Sequence, residues 1–588
     1  MDVECSRVER PDPSPSSLLA LVGLVGIAVV SPWPFGAVQP WAIFALTTAG
    51  LLTAAAGLAL GLVRGDARWP EVPLWPLAGF VALGLAQLLP LPPVVHALLA
   101  PGSHAVWHPV EPAAAAVLGG GFAPVSLDPD STLRSVALIV GLALLASLAA
   151  PALGHSRLAT AAVATVAAGG FLLSAYAIFA RARFGVLLYG HFAVPTVNPF
   201  GPFVSKNHFA GYVTMAALLT AGLALGLADS ARGRGRDWTT SSRAGAVVLA
   251  MVASVAMALA GLASLSRGGG IALAAGAAAL IALLLLRARG GKRRGGPLPL
   301  LALAGALGLV LVALVPPETH ARMRSLSGAS LRLDTWRDGL RLALSSPAVG
   351  SGLGAFHDAY PRFKRGHGLL RVEHAESDYV ETVAETGLAG LGLALVGGAL
   401  LLTGSARGAR SGVGVVVRGV GMGAVAGLVA LAVHSAVDFN LRIPSNAALA
   451  AVLAAAAAGA AGVRPRPLSR PVAGVLALCV LGLLAALAVR PPEPWRAARD
   501  EARLARLATT PESRALRLER VEVALGRLLR RRPAHAESWL MLAGVRAAGG
   551  DPVSASALAD HAVALDPERP ALREAARPLQ RRFPLHAP

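Results

Sequence analysis

Charge is scarce in this 588-residue chain: Asp, Glu, Lys and Arg together make up 15% of it, against roughly 25% in an ordinary soluble protein. Lysine is nearly missing, with Lys206, Lys292 and Lys364 its three instances. Cysteine is limited to Cys5 and Cys479, one ahead of the first apolar run and one inside the last, which excludes a disulfide between them. There is no Walker-type loop and no His/Cys spacing of a ligand set, so neither ATP-driven chemistry nor a metal centre or other cofactor is expected.

What fills the space is apolar. Hydrophobic residues make up 55% of the chain, the mean hydropathy is +0.60, and the apolar runs repeat at about 20 residues, the length of a membrane-spanning helix. That excludes a soluble globular enzyme, a disordered chain and a transmembrane β-barrel, whose strands alternate. The net charge of +20 is dispersed over many loops without a basic groove, so nucleic acid is not the expected partner. The expected fold class is all-α: a polytopic membrane protein of about 13 helices with a large helical loop and a small carboxyl-terminal helical repeat.

The expected spans are 17–34, 40–63, 74–92, 131–150, 157–180, 207–228, 244–264, 268–286, 297–316, 386–403, 414–434, 445–462 and 471–489. The weakest are 74–92 and 445–462, the latter almost all alanine. The first is followed by Trp-Pro-Phe with no small-residue cleavage site, and reads as an uncleaved anchor. Alternate loops are basic, among them Arg64 and Arg68, Arg232 to Arg243, Arg287 to Arg294, and Arg464 to Arg470, while 31–39 and 91–130 have no Lys or Arg. Basic loops stay in the cytoplasm, so the amino terminus is expected inside and the carboxyl terminus outside. The scheme is membrane helices over 1–316, a large outer loop over 317–385, membrane helices over 386–490 and an outer helical domain over 491–588.

In that tail Pro533 and Pro567 lie 34 residues apart, the period of a tetratricopeptide repeat. Trp539, Leu542, Ala543, Gly550, Ala555 and Ala562 fall at the offsets that let two helices approach closely. A protein partner is the expected use, and a plain amphipathic hairpin is the alternative.

Three segments carry polar chemistry. Ser264-Leu265-Ser266-Arg267 and three glycines sit between two apolar runs; an arginine there is expensive, and its planar fork suits phosphate oxygens. The stretch 181–211 holds Lys206, Asn207 and His208 where a span opens, placed either to bind an oxygen-rich ligand or simply to cap the helix. The long loop starts an amphipathic helix with Arg332, Trp336 and Arg337, turns through glycines 350, 352 and 354, and then reads His374-Ala375-Glu376-Ser377-Asp378-Tyr379. A carboxylate or imidazole facing phosphate-binding arginines is what a hydroxyl acceptor needs as a base. Asp128 and Asp130 read as a helix start rather than a metal pair.

These pieces, in this order, resemble the O-antigen ligase and polymerase superfamily of bacterial envelope glycosyltransferases. The matching parts are the Ser-Arg-Gly turn at 266–268, Asn-His-Phe-Ala-Gly-Tyr at 207–212, Arg332 to Trp336, the glycine turn at 347–356 with Tyr360-Pro361, and 377–390, covering roughly residues 180–395. Members with a periplasmic tetratricopeptide tail also exist. The resemblance implies a metal-independent transferase of the bacterial inner membrane, working without a nucleotide sugar. It would move a glycan from undecaprenyl diphosphate to a hydroxyl in the periplasm, the acceptor being lipid A core, protein or growing polysaccharide.

Arg267 and Arg332 match arginines that hold the diphosphate in that family, with Lys206 and Arg337 as further candidates. Asn207, His208, Trp336 and Tyr379 are candidates for glycan or acceptor binding. Where the family carries its histidine base this chain has Glu376, with His374 two residues earlier. Glu376, His374 and Asp378 are the catalytic candidates, and Glu376 ranks first because a carboxylate at the matched position can deprotonate an alcohol. A transporter or flippase of lipid-linked sugars is the alternative, but it would need charges along a path through the bundle. Here the spans are nearly charge-free, Arg418 and His434 being among the exceptions. A non-catalytic scaffold of an exopolysaccharide assembly system is the third reading.

Overall fold

The computed structural model describes residues 12–70, 73–194, 198–232, 244–289, 329–365, 371–408, 414–461, 466–489, 499–500, 502–503 and 510–581. The ninth expected span, 297–316, residues 317–328 of the large loop, and much of the basic stretches 233–243 and 290–296 lie outside the described residues. Within them the chain is helical: 21 α-helices and a single ladder of two-residue strands, Arg68–Trp69 against Arg466–Pro467.

Nine described helices are long and apolar enough to cross a membrane, and they fall on nine of the thirteen expected spans. Three more expected spans are shorter apolar helices, Pro15–Val30, Trp75–Ala86 and Pro444–Ala460. The expectation over 74–92 fails in length. The helix has 12 residues, about 18 Å at 1.5 Å per residue, well below the roughly 30 Å of a hydrocarbon core. Pro90, Pro92 and Pro93 follow it, and a proline cannot continue the ladder.

The chain forms two units. The first comprises residues 1–75, 137–325 and 396–484. Its centre is the pair Lys206–Arg232 and Val415–His434, the two most heavily buried of the long described helices. They cross on glycine: a Cβ on Gly222 would lie 2.4 Å from the Gly419 carbonyl oxygen, and one on Gly419 would lie 2.5 Å from the Gly222 carbonyl oxygen. Small residues at such a crossing bring backbones together where lipid supplies no hydrophobic drive.

The second unit comprises residues 76–136, 326–395 and 485–588. It joins three stretches that are far apart in sequence: the short helices Pro93–Leu99, Pro101–Trp107 and Pro112–Leu118; the large loop with helix Ala329–Ser345 and the start of Asp378–Gly408; and the tail helices Pro511–Leu529, Ala536–Ala548, Pro552–Leu565 and Pro570–Arg581. One hydrophobic core runs through all three, containing Trp107, Phe356, Tyr360 and Trp539. The proline-bounded region around 533–567 is a pair of packed helices, Ala536–Ala548 and Pro552–Leu565. Trp539 is fully buried there, with its indole N–H donating to the Pro533 carbonyl at 2.7 Å.

Candidate functional site

In the second unit, the amphipathic helix Ala329–Ser345 sets Arg332 and Trp336 on the side of the His374–Glu376 turn. Arg332 Nε lies 3.4 Å from Glu376 Oε2, and the Trp336 indole N–H donates to the Glu376 carbonyl at 3.3 Å. Glu376 has φ +55°, a left-handed backbone that costs an L-residue about 1–2 kcal/mol. The turn it makes carries the chain into helix Asp378–Gly408. One turn into that helix, the carboxylate of Glu381 is 2% exposed. It accepts the Ala375 N–H at 2.8 Å and meets Nδ1 of His374 at 2.9 Å. His374 itself is 33% exposed. A buried carboxylate against Nδ1 selects the tautomer with its proton there, leaving Nε2 with the lone pair.

The remaining sequence candidates of this unit separate. Asp378 is buried at the helix start and Tyr379 is half-buried beside it. Arg337 is on the outer face of its helix, paired with Asp334 at 3.5 Å. Asp338, which the sequence did not single out, is buried, pairs with Arg341 and accepts the Arg365 N–H at 2.9 Å.

The glycine turn is a packing wedge. Gly350, Gly352 and Gly354 all have positive φ. A Cβ on Gly350 would lie 2.2 Å from the Glu385 backbone, and one on Gly352 would lie 2.4 Å from Ser126 Oγ. Gln87 ties the wedge together, donating to the carbonyls of Val349 and Glu385 at 2.7 Å each and accepting the Leu353 N–H at 2.9 Å. Nothing in the sequence distinguishes that glutamine from a polar residue at the end of a span.

The tail is fastened to the same unit by charge. Arg532 makes two bonds of 2.8 Å to Asp358 and lies 3.5 Å from Asp128. His357 Nε2 stands 3.4 Å from Asp128. Asp128 also caps helix Pro129–Leu153, accepting the Ser131 N–H at 3.1 Å. Burial alone would raise the Asp128 carboxyl, but the His357 hydrogen bond and the Arg532 charge hold it well below the usual carboxylate range. Burial likewise opposes ionisation of Asp358, but the His357 and Arg532 charges outweigh it and hold that carboxyl low as well. For His357 burial works downward, while Asp358 and Asp128 raise the imidazole above its ordinary value.

Among the described residues two groups of three potential metal-ligating side chains converge: Asp128, His357 and Asp358, and His96, His104 and His108. Arg532 supplies the cation of the first. The second falls on a spacing that the sequence reading passed over, two histidines four residues apart and a third eight residues before them. Burial, then the neighbouring His104 and His108, push the His96 imidazole down to about 4.

In the first unit, Arg267 opens helix Arg267–Arg289 and is exposed. Ser266 caps that helix, its Oγ accepting the Gly269 N–H at 3.1 Å. Leu265 before it has φ +59°, and its carbonyl accepts from Lys206 Nζ at 3.0 Å. Two of the four expected diphosphate residues thus share one turn. A Cβ on Gly269 would lie 2.6 Å from the Ala210 side chain, so the second glycine serves close helix packing. Asn207 is half-buried, with its N–H on Ser205 Oγ at 3.3 Å. His208 faces the interior: its Nε2 is 3.4 Å from the buried Asp438 and its carbonyl accepts from Asn446 at 3.0 Å. Asp438 and Asn446 were not anticipated; both lie in the short polar connection between two apolar runs, with His434, Asn440 and Arg442.

Residues 252–395 match the family model described as O-Antigen ligase. No curated protein matches the chain. The matched stretch begins in helix Ala244–Ala263 and ends in helix Asp378–Gly408, and it takes in Arg267, Arg332, His374, Glu376 and Glu381.

Proposed function

We propose that this multi-pass membrane protein, which belongs to the O-antigen ligase family through residues 252–395, transfers a glycan from undecaprenyl diphosphate to a hydroxyl acceptor, with His374 as the base. The family implies ligase- or polymerase-type glycosyl transfer across lipid-linked substrates. The observation that carries the residue assignment is the 2.9 Å contact of His374 Nδ1 with the buried Glu381. A carboxylate behind an imidazole orients it and stabilises the imidazolium formed when it takes a proton. Glu376, in contrast, is paired with Arg332. Its carboxylate is therefore already engaged by a cation, whereas Nε2 of His374 is the atom proposed to meet an acceptor.

In this reading the acceptor hydroxyl gives its proton to His374 Nε2 as its oxygen attacks the anomeric carbon, and the bond to the diphosphate oxygen breaks. The leaving group gains negative charge, so the largest catalytic need is positive charge that is already in place. Arg332 supplies it by exchanging Glu376 for the diphosphate; Arg267 and Lys206, which share a turn of the first unit, are kept as separate candidates for holding a diphosphate. Trp336 and Tyr379 are proposed to stack on sugar rings. The inner membrane, with this chemistry on the periplasmic face, is the proposed location, and the tail, as a repeat-like helical domain, is the proposed protein contact.

The test is release of free undecaprenyl diphosphate from an undecaprenyl-diphosphate oligosaccharide in membranes holding equal amounts of each variant. Loss of release in His374→Gln with release retained in Glu376→Gln supports the assignment. The reverse pattern returns the base to Glu376.

A further inference from the structure

Helix Pro93–Leu99 and helix Pro101–Trp107 are joined by Ala100 alone, so their side chains are forced together. His96 comes from the first helix. His104 and His108 lie four residues apart at the end of the second, on one helical face. The ring centroids are 4.4 Å apart for His104 and His108, 5.4 Å for His96 and His104, and 5.9 Å for His96 and His108. One ring nitrogen from each lies within 4.8 Å of the other two.

The environment of these rings is unusual for packed histidines. His96 is 0% exposed, and neither of its ring nitrogens has a hydrogen-bond partner; nor do Nδ1 of His104 and Nε2 of His108. A neutral imidazole carries one N–H and one lone pair, and burying them unpaired is costly. No Lys or Arg occurs anywhere in residues 91–130, so the segment itself provides no fixed cation to compete for those lone pairs. His104 and His108 are half-buried, which leaves one side of the cluster open to solvent.

We propose that His96, His104 and His108 form a binding site for a divalent transition metal, zinc by preference, with water completing a tetrahedron. Zinc takes imidazole nitrogens at about 2.0–2.1 Å, which places the ligand atoms about 3.3 Å from one another. Rotating the three rings so that each ligand nitrogen moves by roughly 1 Å closes separations of up to 4.8 Å to that value. Three neutral imidazoles suit zinc, copper or nickel and not the oxygen-seeking calcium or magnesium.

The metal would lock the two short helices at their hinge. That hinge is tied to the large loop: the Gly102 N–H donates to Ser346 Oγ at 3.2 Å, and the Gly102 carbonyl accepts from Arg362 at 3.2 Å. The site is separate from the residues assigned to glycosyl transfer, and it stands or falls without them.

The experiment uses the full chain in detergent, purified through a tag without histidine, stripped with chelator and titrated with Zn2+ and with Co2+. The expected result is about one tightly held zinc per chain and the visible absorption of tetrahedral Co2+. In the His104→Ala/His108→Ala double variant the expected affinity falls by at least about a hundredfold, beyond what loss of an outer-shell partner produces. His104 and His108 are half-buried, and a thermal melt without metal, expected to match that of the wild type, shows that the double variant folds. If it melts lower, the single His108→Gln variant replaces it. Equal zinc retention in wild type and the folded variant, or no retained zinc and no tetrahedral Co2+ spectrum in the wild type, overturns the site.

Discussion

His374 Nδ1 and Glu381 Oε1 are 2.9 Å apart, seven residues along a chain that turns through the left-handed Glu376 between them. The turn makes an otherwise exposed imidazole the partner of a buried carboxylate. Glu376, at that turn, closes on Arg332, and in the proposed mechanism it yields the role of base to His374.

Removing that backing has a defined cost. Glu381→Gln is expected to lower the rate of undecaprenyl diphosphate release by about 10²–10⁴, the usual worth of a positioned general base, with His374→Ala at least as severe. Glu376→Gln is expected to stay within about tenfold of wild type, since it uncovers Arg332 rather than removing the base. Turnover measured in membranes checks all three. An unchanged rate in Glu381→Gln removes the dyad from the mechanism.

The arginines are separable from the base by what limits the reaction. Arg332→Ala is expected to lose about 10²–10³ in rate, the typical loss for one donor facing a developing anion. Arg332→Lys should restore part of it, as a point charge without the fork. Arg337→Ala, on the outer face of the same helix, is expected to leave the rate unchanged. Matching losses in Arg332→Ala and Arg337→Ala would mean that only helix charge, not position, matters.

Beside the shared hydrophobic core, Arg532 ties the tail to the rest of its unit by charge. Arg532 is 18% exposed and grips Asp358, itself 3% exposed. Breaking such a pair from one side destabilises by about 3–5 kcal/mol, because a buried charge is left behind. Arg532→Ala is therefore expected to expose the tail to limited proteolysis within residues 510–581. Resistance equal to that of the wild type would show that the hydrophobic core alone holds the tail.

The same latch has a pH window. His357 is raised above its ordinary value, so its contribution is complete below about pH 6.5 and is lost as the pH rises through its folded value. Asp128 and Asp358 are lowered. Their contribution is present above about pH 4 and lost as the pH falls toward their folded values. Melting of the purified protein is expected to peak between these limits, and His357→Gln should flatten the alkaline side. An alkaline slope that is the same in both proteins rules out His357 as its source.

The wedge sets a steric limit. Gly352 has φ +115°, and its Cβ would lie 2.4 Å from Ser126 Oγ. Gly352→Ala combines a strained backbone with a clash, and a loss of at least about 3 kcal/mol is expected, read as a lowered melting temperature. Gly119→Ala, where φ is also positive but nothing lies within 4 Å, should lose only the smaller backbone part.

The sequence was most legible where the physics is local. Runs of 20 apolar residues became helices at nearly the expected limits, because hydropathy and helix length are written in consecutive residues. The region over 74–92 shows the limit of that logic: it is apolar but for Gln87, yet the helix stops at Ala86, ahead of Pro90 and Pro92. Long-range pairings were not legible. Arg532 finds Asp358 across 174 residues, and Gln87 reaches Glu385 across 298; neither residue type nor spacing announces either bond. His374 and Glu381 were both visible as polar residues near a helix start. What fixed their relation was the left-handed Glu376, a backbone state that a glutamate does not advertise.

The break at Gly387 inside helix Asp378–Gly408, where φ is +63° and ψ −169°, divides that helix into a carboxylate-bearing head and an apolar remainder. Beyond it about 21 residues remain, roughly 31 Å of helix at 1.5 Å per residue, which by itself matches the thickness of a hydrocarbon core. The nine residues before the break, with Asp378, Glu381 and Glu385 among them, are thereby surplus to the crossing. Three carboxylates can be carried at the head of a membrane helix without any of them entering oil.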